Sequence, residues 1–170
     1  ARTHRVMLAH LARAARARVL ALDYRLAPEI PFPAPVEDSV SAYKWLLSQG
    51  IAPEMVAIGG DSAGGGLSVA TARHLVDDGV TPAALALISP WVDPGARDAK
   101  ISRDIVVNTA WSYSAAEAYL GDGDPLDQGY APLLGDLTGL PPIVMHVGTA
   151  EVLYSQIVTF RDKLLASGVE

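Results

Sequence analysis

Five residues, Gly60-Asp61-Ser62-Ala63-Gly64, have the types and spacing for nucleophilic chemistry. An apolar run, Met55 to Ile58, leads into them, and a helix-forming run, Gly64 to Val76, leads out. Strand, tight turn and helix, with a serine at the apex, make the nucleophile-elbow pattern G-x-S-x-G. The sharp turn points the serine hydroxyl off the end of a sheet. Glycines two before and two after it, Gly60 and Gly64, are expected to keep side chains clear of the neighbouring strand and helix. Ser62 opens the helix, so negative charge developing beside it meets unpaired N–H groups and the positive dipole end. The Ala63 N–H is the expected oxyanion donor.

A serine so placed needs a sheet and helices to hold it. Thr3 can cap a helix from His4 to about Ala15, with Leu8, Leu11, Ala12 and Ala15 along one face. Val19 to Leu22 is a short continuous apolar run, the pattern of a buried parallel strand. Pro28, Pro31, Pro33 and Pro35 exclude helix and demand an extended loop. Val36, Val40, Tyr43 and Leu47 recur at helical spacing, and Gly50 closes that helix. Leu85 to Ile88 reads as another buried strand, ending at Ser89-Pro90-Trp91. Ile143 to Val147 is a further strand, and a last helix runs from about Ser155 to Ala166, stopping at Gly168. Helix and strand alternate along one domain, which predicts an α/β fold: a mostly parallel sheet with helices on both faces.

Residues 93–139 depart from that alternation. Strong strands vanish, polar helices are expected at about 101–107 and 114–120, and Asp122-Gly123-Asp124-Pro125 is a turn. The stretch reads as a cap-like helical insert over the site.

Composition excludes several function classes. The 170 residues fit one domain, and half are hydrophobic, enough for a sizeable core. A net charge of −6 argues against a nucleic-acid-binding surface. No apolar run approaches the ~20 residues of a membrane-spanning helix. With no cysteine there is no disulfide or thiolate metal site, which fits a cytoplasmic compartment. Arg2, Arg5, Arg13, Arg16 and Arg18 fall in an acid-free start. That has the look of a transit peptide. Because the segment runs straight into the 19–22 strand, the expectation is a core helix with a solvated basic face.

Asp23-Tyr24-Arg25-Leu26-Ala27-Pro28-Glu29, Pro31-Phe32-Pro33-Ala34, the elbow with Gly65, Ser89 to Asp93, and Leu140-Pro141-Pro142 occur in that order. Together they resemble the hormone-sensitive-lipase-like (bacterial family IV) esterases of the α/β-hydrolase fold, in the subgroup with Asp rather than Thr before the nucleophile. The resemblance spans essentially the whole sequence. It implies hydrolysis of carboxylic esters of short to medium acyl chains through a Ser–acid–His triad, with a small-molecule ester as partner and no cofactor or metal. Ser62 maps onto the nucleophile, and Gly60, Asp61, Ala63 and Gly64 onto the elbow. Related enzymes often dimerise through an edge strand near the C-terminus, so a homodimer is implied for the full-length protein.

Two acids compete for the triad. Asp124-Pro125-Leu126 matches the family's Asp-Pro-Leu string but lies in the insert with no strand before it. Glu151 follows Val147, the end of the last strand, by four residues and corresponds to the acid loop. Glu151 is favoured. The bland readings are a turn residue before proline for Asp124 and a helix N-terminal acid for Glu151.

On this fold the histidine follows the acid. His4, His10, His74 and His146 all precede Glu151, and His146 is expected as a satisfied core histidine. The family's His-Gly-Gly-Gly oxyanion loop has no match either. The sequence therefore reads as an interior stretch of a longer enzyme, inactive or nearly so by itself. An amidase or deacetylase on the same fold, or a non-catalytic binding protein like the plant gibberellin receptors, are the rival readings. Arg25 is expected to pair with Glu29, Glu37 or Asp38, with substrate binding as the alternative. Trp91 and Trp111 line an acyl pocket or pack in the core.

Overall fold

The computed structural model describes residues 3–97 and 104–170. Three strands, β1 (Ala57–Asp61), β2 (Ala84–Ile88) and β3 (Ile143–His146), form one parallel sheet in the order β1-β2-β3. Five helices accompany them: α1 (Arg5–Ala15), α2 (Ala34–Ser48), α3 (Ala63–Asp77), α4 (Thr109–Leu120) and α5 (Tyr154–Ala166). The register aligns Asp61 with Ile88 and Ile88 with His146. All three strands thus stop level with one another, and their following loops emerge at one end.

The core lies on one face of the sheet. Leu85 and Leu87 of β2 meet Val69 and Ala72 of α3 and Phe160 and Leu164 of α5, with Ile58, Ile143 and Met145 against them. Phe160 is fully buried. Val36, Val40 and Tyr43 of α2 then pack on Ala70 and Leu75, the outer side of α3. Successive strand side chains alternate faces. The other face carries Val144, 62% exposed, and Ile88, 44% exposed.

Five expectations change. Pro35, expected in an extended loop, lies in the first turn of α2, where a proline's missing N–H costs no helix bond. Val19–Leu22 do not form a strand, and Val19 and Leu20 are exposed. A strand requires a neighbour for its backbone hydrogen bonds, and among the described residues β1 pairs only with β2. The first helix forms where expected but buries no residue. The helix expected at 114–120 begins earlier, at Thr109, because the Asn108 carboxamide accepts the Trp111 N–H at 2.9 Å as an N-cap. Of the helix expected at 101–107, residues 101–103 lie outside the described residues, and 104–107 form no helix. There Asp104 Oδ1 accepts the N–H groups of Val106 and Val107, which closes a turn. Within 93–139 the described residues hold α4 and a 3₁₀ turn at Pro132–Leu134 and no strand.

Candidate active site

The elbow is a backbone construction. The Ser62 N–H continues the sheet by donating to Ile88 O at 2.9 Å. Ser62 then turns to φ 56°, ψ −117°, and α3 begins at the next residue. Its carbonyl accepts three N–H groups, from Gly65, Gly66 and Trp91. Those bonds tie the turn to its own helix and to the loop after β2. The hydroxyl bonds no other described residue. The first N–H groups of a helix have no intrahelical acceptor, and the Ala63 N–H stands at that position beside Ser62.

Glycine is required here, but not at both expected positions. A Cβ on Gly60 would run into the Gly64 carbonyl. One on Gly65 would meet Pro90, and one on Gly66 would land on the Trp91 carbonyl. A Cβ on Gly64 would meet nothing within 4 Å. The close approach is therefore made by the glycine before the serine and by Gly65 and Gly66, one helical turn into α3. Gly64 faces open space.

The loop after β2 is held by one side chain of α5. Gln156 Oε1 accepts the N–H groups of Val92 and Asp93 at 3.0 and 2.9 Å, and its Nε2 donates to Asp93 O at 3.3 Å.

The loop after β3 contains Glu151. Its Oε1 accepts the Gly148 N–H at 2.7 Å, so the carboxylate is folded onto its own loop. The next residue, Val152, donates its N–H to Asp104 Oδ2 at 2.9 Å. Burial pushes the Asp104 carboxyl up, but the backbone N–H groups of Val107, Val152 and Val106 outweigh it and hold the group below the usual carboxylate range. Asp104 thus fastens the segment before α4 to the loop carrying Glu151, 47 residues on in sequence. Asp124 sits apart, in the turn after α4, where its Oδ1 accepts the Leu126 N–H at 2.9 Å. The strand register brings the Ser62 and Glu151 loops to the same end of the sheet. No hydrogen bond joins the two side chains among the described residues.

One histidine reaches the elbow. His4 Nε2 lies 3.0 Å from Asp61 Oδ2. Nothing in the sequence announced this pair, which is separated by 57 positions. The expected core histidine, His146, is instead exposed, because it shares the open face of the sheet with Val144.

Comparison with known proteins places this geometry. A family model described as alpha/beta hydrolase fold matches residues 1–170. The crystal structure of an esterase from the bacterial hormone-sensitive lipase family superposes with a TM-score of 0.92 at 48% identity, over 99% of this chain and 58% of that one. The chain belongs to the α/β-hydrolase family, on its hormone-sensitive-lipase-like branch. An acetyl-hydrolase of Streptomyces hygroscopicus is 45% identical over 98% of this chain and 57% of its own length. The carboxylesterase/phospholipase LipF of Mycobacterium tuberculosis (strain ATCC 25618 / H37Rv) is 36% identical over 91% and 44%. The chain spans about half the length of the curated relatives it matches.

Two further side-chain readings resolve in the structure. Arg25 pairs with Asp38 and Glu37: its Nε donates to both Asp38 oxygens at 3.0 Å and its Nη2 to Glu37 at 3.1 Å. The hydrogen bonds from Arg25 hold the Asp38 carboxyl below its ordinary value. Arg25 therefore ties the proline-rich loop to the first turns of α2. Trp91 packs against the cluster of Val152, Leu153 and Ile157, while Trp111 is 61% exposed. Trp91, Tyr113 and Gln156 border a crevice of about 10 Å³, room for one water. No helix of the described residues is long and apolar enough to cross a membrane.

Proposed function

We propose that the protein is a serine hydrolase cleaving carboxylic esters of short to medium acyl chains through an acyl-enzyme on Ser62. The observation that carries this reading is the Ser62 turn: a strained nucleophile at the C-terminal end of a parallel strand, opening a helix, with its hydroxyl unengaged by the described residues. The Ser62 Oγ attacks the ester carbonyl as a histidine takes its proton. The tetrahedral oxyanion meets the Ala63 N–H and the dipole of α3. The histidine then returns the proton to the departing alkoxide, and water cleaves the acyl-enzyme by the same steps.

Glu151 is the acid that orients the histidine, and its fold onto Gly148 is the resting position of a carboxylate that swings to its partner. The triad order puts the histidine after the acid. Residues 152–170 contain none, so the hydrolytic reading concerns a whole protein of the relatives' length. The described residues of the 93–139 stretch, 93–97 and 104–139, contribute to a cap over the substrate.

The test is reaction of the full-length protein with a fluorophosphonate, mapped by peptide mass, alongside p-nitrophenyl butyrate turnover. Label on Ser62, and a loss of turnover of about 10⁴-fold or more in Ser62→Ala, are expected. Turnover that survives Ser62→Ala overturns the assignment.

A further inference from the structure

Apolar burial does not fix where α1 begins. The helix buries no residue, and Val6, Met7 and Leu11 are exposed. A polar chain does so instead. The His4 ring lies 2.9 Å from the Thr3 hydroxyl through Nδ1 and 3.0 Å from Asp61 through Nε2. An ionised carboxylate only accepts, so Nε2 carries the proton and donates to Asp61. In a neutral ring Nδ1 then accepts from the Thr3 hydroxyl; in a charged ring it donates to the same oxygen. Asp61 thus fixes which ring nitrogen donates, and the Thr3 hydroxyl, able to donate or accept, satisfies the other.

Asp61 is the last residue of β1 and enters the Ser62 turn directly. A serine at positive φ persists only where its surroundings over-determine it. On the helix side, three N–H groups grip the Ser62 carbonyl. On the strand side, Gly59 and Gly60 have no side chain to anchor. The first side chain before the serine is Asp61, and its partner is His4.

We propose that His4 is a positioning residue for Ser62. By holding the Asp61 carboxylate it anchors the strand side of the elbow. It also keeps the acid next to the nucleophile directed at an imidazole, away from where an oxyanion develops. The consequence for catalysis rests on the serine-hydrolase reading; the anchoring does not.

The experiment compares the full-length wild type with His4→Ala and His4→Gln. Two quantities are read: amide hydrogen exchange over residues 60–66, and the rate of Ser62 labelling by a fluorophosphonate. His4→Ala should speed elbow exchange and slow labelling, each about fivefold, the size of one partly exposed charged hydrogen bond. His4→Gln retains an N–H donor and should recover most of both. The proposal is overturned if His4→Ala leaves both within the scatter of the wild type. It is equally overturned if exchange rises as much in β2 and α5 as at the elbow, which marks general destabilisation. If the wild type takes no label but elbow exchange still rises in His4→Ala, the hydrolase reading falls and the anchoring stands.

Discussion

Ser62 and Glu151 each follow a parallel strand at the same end of the sheet, but different forces hold their loops. The Ser62 turn is fixed mainly by main chain: its N–H and carbonyl are both bonded, glycines admit the close contacts of Gly60 with Gly64 and of Gly66 with Trp91, and one side-chain pair, His4 with Asp61, is added on the strand side. The Glu151 loop has two main-chain bonds, from the Glu151 N–H to Gly148 O and from the Tyr154 N–H to Glu151 O, and takes its remaining ties from side chains. Asp104 holds Val152, and Glu151 holds its own Gly148. Main-chain anchoring tolerates no added atom where backbones touch, at Gly60 and Gly66. Side-chain anchoring tolerates change but can be titrated. On the proposed reading, a nucleophile that must stand in one place sits in the first kind of loop. On the same reading, a carboxylate that must reach a partner sits in the second.

The largest test of this contrast is Gly66→Ala. Its methyl group lands on the Trp91 carbonyl, whose rigid peptide plane also carries the Val92 N–H bonded to Gln156. A loss of about 3 kcal/mol or more in denaturant unfolding is expected. A loss under about 1 kcal/mol would show that the elbow yields.

Asp104→Ala comes next and probes the other loop. It leaves the Val152, Val106 and Val107 N–H groups without their acceptor and should cost about 1–2 kcal/mol, moderated by partial exposure. The sign with pH follows from the lowered carboxyl. A group held below its unfolded value contributes fully above that value, about 4, and loses its contribution as pH falls through the folded one. The gap in stability between wild type and Asp104→Ala should therefore be flat from pH 7 to 5 and narrow toward pH 3. A constant gap would assign the effect to packing.

The smallest effect has the opposite sign. Gly64 lies in α3 at ordinary φ with open space where a Cβ would stand. In the 170-residue chain Gly64→Ala should stabilise by about 0.5–1 kcal/mol, read as a rise in midpoint. A fall would mean that the elbow needs glycine there for a reason outside these contacts.

The same division governs what the sequence disclosed. The elbow was legible because its constraints are local: strand, turn and helix lie within a few residues, and glycine marks the tight approach. Even so, the pattern pointed to Gly64, when the contacts fall on Gly60, Gly65 and Gly66. The α/β alternation, the Arg25 pairing with Asp38 and the loop position of Glu151 were likewise written in neighbouring residues. The Asp104–Val152 bond, the Gln156 grip on Val92 and Asp93, and the His4–Asp61 pair were not. Each joins residues 48 or more positions apart, and single Asp, Gln and His residues carry no periodic signal. Val19–Leu22 failed for a related reason. Apolar composition shows that a segment can be a strand, but a strand is a property of a pair.

The backbone of Ser62 has an evolutionary side. A serine at φ 56° carries a conformational cost of order 1–3 kcal/mol that a glycine at the same place would avoid. Selection for stability alone would remove the hydroxyl-bearing residue; on the proposed reading, selection for chemistry keeps it. The elbow is thus where the two pressures diverge most sharply in this chain. The glycines around it and the three bonds on its carbonyl are what allow the less stable choice to persist.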